Sequence, residues 1–114
     1  MSKQALEQQV YDLLGDILNL KMNPGSGNKR GDGDLSPKQL NNNGTFKFGF
    51  ECKDKNVDSH TVPRGEWKKA KNQLEQRGLE PIFVTRNAEG EILVHFDINL
   101  FKDIVVELKE NYLV

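Results

Sequence analysis

The sequence predicts an α/β domain with a mixed central sheet flanked by helices. Three observations carry this. Apolar residues recur at helical spacing near both ends of the chain, residues 45–53 alternate with the period of a strand, and the elements follow the order α-β-β-α-β-β-α. At 114 residues the chain is expected to form one domain, 1–114, around a single core.

Residues 3–20 read as the first helix, with Leu6, Val10, Leu13, Leu14, Ile17 and Leu18 on one face. On a helical wheel these span an arc of roughly 140°. Glu7 falls inside that arc, where a carboxylate is costly without a partner. Near the helix start a Glu also favours the helix dipole, which is the plain structural alternative. Residues 21–33 read as a loop: Asn23-Pro24-Gly25-Ser26-Gly27-Asn28 is turn chemistry, and four glycines in residues 25–33 permit close approach of the backbone to a ligand such as phosphate. No Gly-Lys-Ser/Thr ends it, so it is not a P-loop.

Asp34-Leu35 opens a short strand, and Pro37 with Asn41-Asn42-Asn43-Gly44 forms a hairpin connection. In the strand over 45–53, Phe46, Phe48, Phe50 and Cys52 take one face and Lys47, Gly49, Glu51 and Lys53 the other. The Phe face is expected to pack on the first helix. After a polar connection over 54–62, Pro63 suits the first turn of a helix to about Arg77, with Trp67, Ala70 and Leu74 as its apolar stripe and Gly78 as its stop. Strands over 82–85 and 92–96 flank the turn 87–90. Asp97 then caps a last helix in which Ile98, Phe101, Ile104, Val105 and Leu108 recur.

No apolar run approaches the roughly 20 residues of a membrane span, and the N-terminus has no signal-peptide apolar region. Cys52 is the lone cysteine, so neither an internal disulfide nor a zinc cluster is expected. These features suit a cytoplasmic protein in a reducing compartment. The formal charge of −1 hides an asymmetry: residues 21–77 carry +5, whereas residues 1–20 carry −2 and residues 78–114 carry −4. A basic zone of this kind suits phosphate contact, with solvation of an ordinary surface as the alternative.

The positive stretch also holds Asp34 and, sixteen residues on, Phe50-Glu51-Cys52-Lys53. On a strand, Glu51 and Lys53 share a face. Two carboxylates and an ammonium are suited to holding Mg²⁺ and activating water against a phosphodiester. Asp32 is an alternative to Asp34, which is preferred because Leu35 leads it into the strand. The backbone carbonyl of Cys52, between Glu51 and Lys53, is placed to complete a metal shell.

These residues resemble the PD-(D/E)XK nuclease superfamily, and the order of elements is similar to the archaeal-type and phage Holliday junction resolvases within it. The similarity spans about residues 3–96: Ala5-Leu6-Glu7 on an apolar helix, Gly25-Ser26-Gly27 before Asp34-Leu35, the Glu51-Cys52-Lys53 strand, then the helix and strand from Trp67 to Val84. The position before Asp34 is Gly33, not the proline of the superfamily's name. The resemblance implies a restriction-endonuclease-like core, metal ligands at Glu7, Asp34 and Glu51, a catalytic Lys53, and Ser26 near the phosphate. It further implies Mg²⁺ as cofactor, with Mn²⁺ able to replace it, and a homodimer nicking both strands of branched DNA during recombination. Lys29, Arg30, Lys68 and Lys71 are candidate DNA contacts. The runner-up readings are a duplex-cleaving nickase, restriction-like or homing endonuclease of the same superfamily and, from another class, a non-catalytic DNA-binding subunit. The small size suits a phage or mobile-element gene.

Overall fold

Alternation along one strand decides the architecture. In β3 (Phe48–Asp54), Phe50 and Cys52 are buried toward one helix while Glu51 and Lys53 face another. The sheet is thereby covered on both sides. The computed structural model describes residues 4–23, 33–39 and 46–111. Besides β3, its elements are α1 (Leu6–Leu14), β1 (Leu20–Met22), β2 (Leu35–Pro37), α2 (Arg64–Gln76), β4 (Glu80–Arg86), β5 (Ile92–His95) and α3 (Ile98–Asn111).

The chain is an α/β fold with a five-stranded mixed sheet in the order β1-β2-β3-β4-β5. β3 and β4 are parallel, joined by the crossover helix α2, and every other neighbouring pair is antiparallel. Leu6 and Val10 of α1 bury against Leu20, Leu35, Phe50, Cys52, Ile82, Val84 and Leu100. Phe46 and Phe48 are partly buried against the same cluster, so the Phe face does pack on the first helix. On the other face, Ala70 and Leu74 of α2 are buried, and Trp67 lies against Phe83 with ring centroids 6.3 Å apart.

One expectation changes. The first helix ends at Leu14, not at residue 20, and residues 20–22 form the additional strand β1. The order is therefore α-β-β-β-α-β-β-α. Gly15 caps α1 through its N–H to the Tyr11 carbonyl at 2.7 Å, and Asn19 then adopts a left-handed φ of 53°, which its short amide side chain tolerates. Leu20 returns to the core at 1% exposure, while Leu13 and Ile17 are 65% and 77% exposed. The apolar stripe is thus shared between a helix, a turn and a strand.

The last helix, α3, touches the core along a narrow line. Leu100 is its only buried residue among those described and Ile104 is half-buried, whereas Ile98, Phe101, Val105 and Leu108 are exposed. Its start follows expectation, with the Asn99 N–H donating to Asp97 Oδ1 at 2.7 Å. Among the described residues, no helix is long and apolar enough to cross a membrane.

Candidate functional site

Asp34 is the hub of the site. It stands just before β2, after Gly33, whose φ of +76° lies in the left-handed region. A Cβ at Gly33 would sit 2.7 Å from the Phe50 carbonyl oxygen. Proline, with φ locked at about −65°, cannot adopt this conformation. The Gly for Pro departure therefore has a conformational cause. The Asp34 N–H donates to the Phe50 carbonyl at 2.7 Å, and its Oδ2 accepts the Cys52 N–H at 2.7 Å. One stretch of β3 thus fixes both the backbone and the carboxylate of Asp34.

Asn23 and Gly33 meet beside Asp34. Asn23 donates its N–H to the Asp34 carbonyl at 2.9 Å, and its amide reaches the Gly33 carbonyl at 3.1 Å and Ser36 Oγ at 2.9 Å. The connection over 24–32 therefore begins and ends beside Asp34. Ser26, Lys29, Arg30 and the alternative ligand Asp32 fall in it and lie outside the described residues.

Glu7 reaches the hub from α1. A carboxylate oxygen of Glu7, one of Asp34 and the Cys52 Sγ lie within 4.8 Å of one another. The carboxylate on the apolar face of the first helix is thus aimed at this cluster. Burial pushes the Cys52 thiol up, and the carboxylates of Asp34, Glu7 and Glu51 push it further, so the sulfur stays a neutral thiol at pH 7. Within a strand, the N–H and C=O of one residue point to the same side. With its N–H on Asp34, Cys52 thus turns its carbonyl toward Asp34 as well.

Glu51 approaches from the opposite face of β3 and shares a side-chain hydrogen bond with Asp34. Burial and the Asp34 carboxylate push Glu51 up to about 7, against the pull of Lys53 and Lys69, and the bond to Asp34 adds to the rise. Glu51 and Lys53 line a cavity of 310 Å³ with Glu66, Lys69, Ala70, Gln73 and Phe83. Glu7, Asp34, Glu51 and Lys53 therefore form one neighbourhood, drawn from α1, the start of β2, and β3.

The helix flank differs in detail. Lys68 is exposed, and Lys71 lines a second, acidic cavity of 240 Å³ with Glu75, Glu80, Asp97 and Asp103. The basic side chain of α2 that faces Glu51 is Lys69. Neither Glu66 nor Lys69 was singled out by the sequence, although residues 66, 69, 70 and 73 share one helix face around the buried Ala70. The two histidines share a partner: Thr85 Oγ1 lies 2.6 Å from His60 Nδ1 and 2.8 Å from His95 Nε2. This cluster ties the connection before α2 to the sheet.

Chemically, the site offers hard oxygen donors, a half-buried carboxyl pushed up to about 7, and two ammonium groups at the rim of an open cavity. Scans against protein-family models, curated proteins and solved structures find no match for the chain.

Proposed function

We propose that the protein is a Mg²⁺-dependent DNA endonuclease of the PD-(D/E)XK type, selective for branched DNA in the manner of Holliday junction resolvases. The observation that carries the reading is the position of Asp34 between two carboxylates: Glu7 lies within 4.8 Å of it on one side, together with the Cys52 sulfur, and Glu51, near Lys53, interacts with it on the other. They come from three separate stretches of the sequence, around residues 7, 34 and 51–53, and the resemblance requires them together. A strand order that is parallel between β3 and β4 and antiparallel elsewhere is compatible with a restriction-endonuclease-like core.

The donor set fits Mg²⁺. Carboxylate and backbone carbonyl oxygens are its usual protein ligands, and one or two carboxylates leave room for water and phosphate. Glu7, Asp34 and Glu51 would hold it, with the Cys52 carbonyl. The neutral Cys52 thiol is a poor match for so hard an ion. When bound, the ion polarises the scissile phosphate and makes a water more acidic. Lys53 stands on the same strand face as Glu51 and orients the attacking water or meets the charge that develops on the phosphate. Lys69 extends the positive rim from α2. Burial and Asp34 push Glu51 up to about 7, so the charge it brings to the site depends on pH near neutrality.

Supercoiled plasmid tests the nuclease independently of any branch preference. Wild type is expected to nick it with Mg²⁺ or Mn²⁺ and to be silent in EDTA. Lys53→Ala is expected to lose about 100-fold or more in rate, the scale of a positioned catalytic group, with its circular dichroism unchanged. Full activity in Lys53→Ala would remove Lys53 from the chemistry.

A further inference from the structure

Glu7 reaches the site from the first turn of α1, yet that helix end has no side-chain cap: its N-cap residue is Ala5. An uncapped, two-turn helix frays readily at its start. Something else holds this end, and it lies on β4. Arg86, the last residue of that strand, is 3% exposed. Its Nη1 donates to the Gln4 carbonyl at 2.8 Å and also to Gln9 Oε1. Its Nη2 donates to Asp54 Oδ2 at 2.5 Å. Gln4 precedes Glu7 by three residues and Gln9 follows it by two, so the guanidinium grips α1 on both sides of the carboxylate.

Asp54 is the register partner of Arg86 at the end of β3, two residues beyond Cys52 on the same face. The clamp therefore joins α1 to the strand that carries the cluster. Its energetics argue for geometry over stability. A buried guanidinium costs several kcal/mol in lost hydration, and an apolar replacement for a buried ion pair is often neutral or stabilising. Here the Nε remains buried without an acceptor, so the group is incompletely compensated. What the fork does supply is a fixed relation among three elements, which a planar guanidinium provides and an ammonium does not.

We propose that Arg86 is a positioning residue for Glu7: by clamping Gln4 and Gln9 to Asp54, it sets the Glu7 carboxylate against Asp34 and Cys52. The inference rests on the reading of Glu7, Asp34 and Glu51 as divalent-cation ligands. It predicts a sign that charge alone does not. Removal of a cation near a cation site strengthens metal binding through Coulomb's law. Loss of a ligand's support weakens it, by about 10- to 100-fold for groups that orient ligands.

The test is Mn²⁺ binding to the full chain, followed by electron paramagnetic resonance, for wild type, Glu7→Gln, Arg86→Gln and the double variant. Circular dichroism checks the fold of each. Arg86→Gln is expected to weaken Mn²⁺ binding at least tenfold in the wild-type background and to change it little once Glu7 is already Gln. Arg86→Lys, which keeps the charge and loses the fork, is expected to weaken binding as well. Gln9→Ala gives a second, milder break of the clamp and is expected to follow the same pattern if Arg86→Gln does not fold. Equal weakening in both Glu7 backgrounds, or unchanged or tighter binding in a folded Arg86→Gln protein, overturns the positioning role. Failure of folded wild type to bind Mn²⁺ at all overturns the ligand reading and this inference with it.

Discussion

At Glu51 a single proton links stability, metal binding and activity. Its ordinary value is 4.5, and burial together with Asp34 pushes it to about 7. Between these two values the folded chain holds a proton that the unfolded chain has released, so this group makes stability fall as pH rises through that window. Glu51→Gln keeps the shape and cannot ionise. Without metal, the variant is therefore expected to gain on wild type in thermal stability between pH 5 and pH 8. The gain is about 1 kcal/mol once solvent screening of a partly exposed group is allowed for, or roughly 4 °C in Tm. His95 acts in the opposite sense. Burial and His60 hold it below its ordinary 6.5, so its contribution is lost as pH falls. The difference between variant and wild type isolates Glu51 from this background. For wild type, Mg²⁺ is expected to restore at pH 8 what the ionised Glu51 removes, because a bound cation favours the charged form. A pH-independent difference in Tm would contradict the role given to burial and Asp34.

At the scale of elements, the same physics explains what the sequence made legible. The alternation Phe48-Gly49-Phe50-Glu51-Cys52-Lys53 fixed both faces of β3, because a period of two admits one assignment once the Phe face is buried. Glu7 was readable as a carboxylate on an apolar face, and Asp34 as the acid that leads into a strand. β1 was not readable. Its three residues, Leu20-Lys21-Met22, are too short for a periodic signal and continue the helical spacing of Leu14 and Leu18. What ends α1 is the turn through Gly15 and the left-handed Asn19, a tertiary choice that buries Leu20. The face of α2 was missed for a related reason: Lys68, Lys69 and Lys71 look alike as charges, and only the helix's rotation against Phe83 and Glu51 selects Lys69. The periodicity of α3 is there, but only Leu100 and Ile104 meet this chain's own core. Ile98, Phe101 and Val105 are exposed, as are Leu93 and Val94 of the edge strand β5. A homodimer, as implied by the resolvase resemblance, would cover them, at about 1.5–3 kcal/mol for each large apolar side chain fully buried. Light scattering is expected to give twice the 13.0 kDa chain mass, and Phe101→Lys with Val94→Lys to give monomer. A monomeric wild type at working concentration would remove the paired-nick mechanism.

Across the whole molecule, the charge asymmetry of the sequence becomes a spatial one. Lys53 and Lys69 stand at the cavity beside the carboxylate cluster, whereas Glu75, Glu80, Asp97 and Asp103 gather at the second cavity. Crowding holds Glu80 above the ordinary carboxyl range there, through burial and the charges of Asp103 and Glu75. On the proposed function, Lys53 and Lys69, set among Glu51 and Glu66, are the cations that would meet phosphate at the first cavity, and the acidic second cavity would repel it. The measurement that bears most directly on this account is cleavage of a labelled four-way junction beside a linear duplex of the same sequence, each with Mg²⁺ and with EDTA. Paired nicks are expected only in the junction and only in the Mg²⁺ lanes. Equal cutting of the duplex would contradict the branch selectivity, and binding without cutting of either substrate would contradict the nuclease itself.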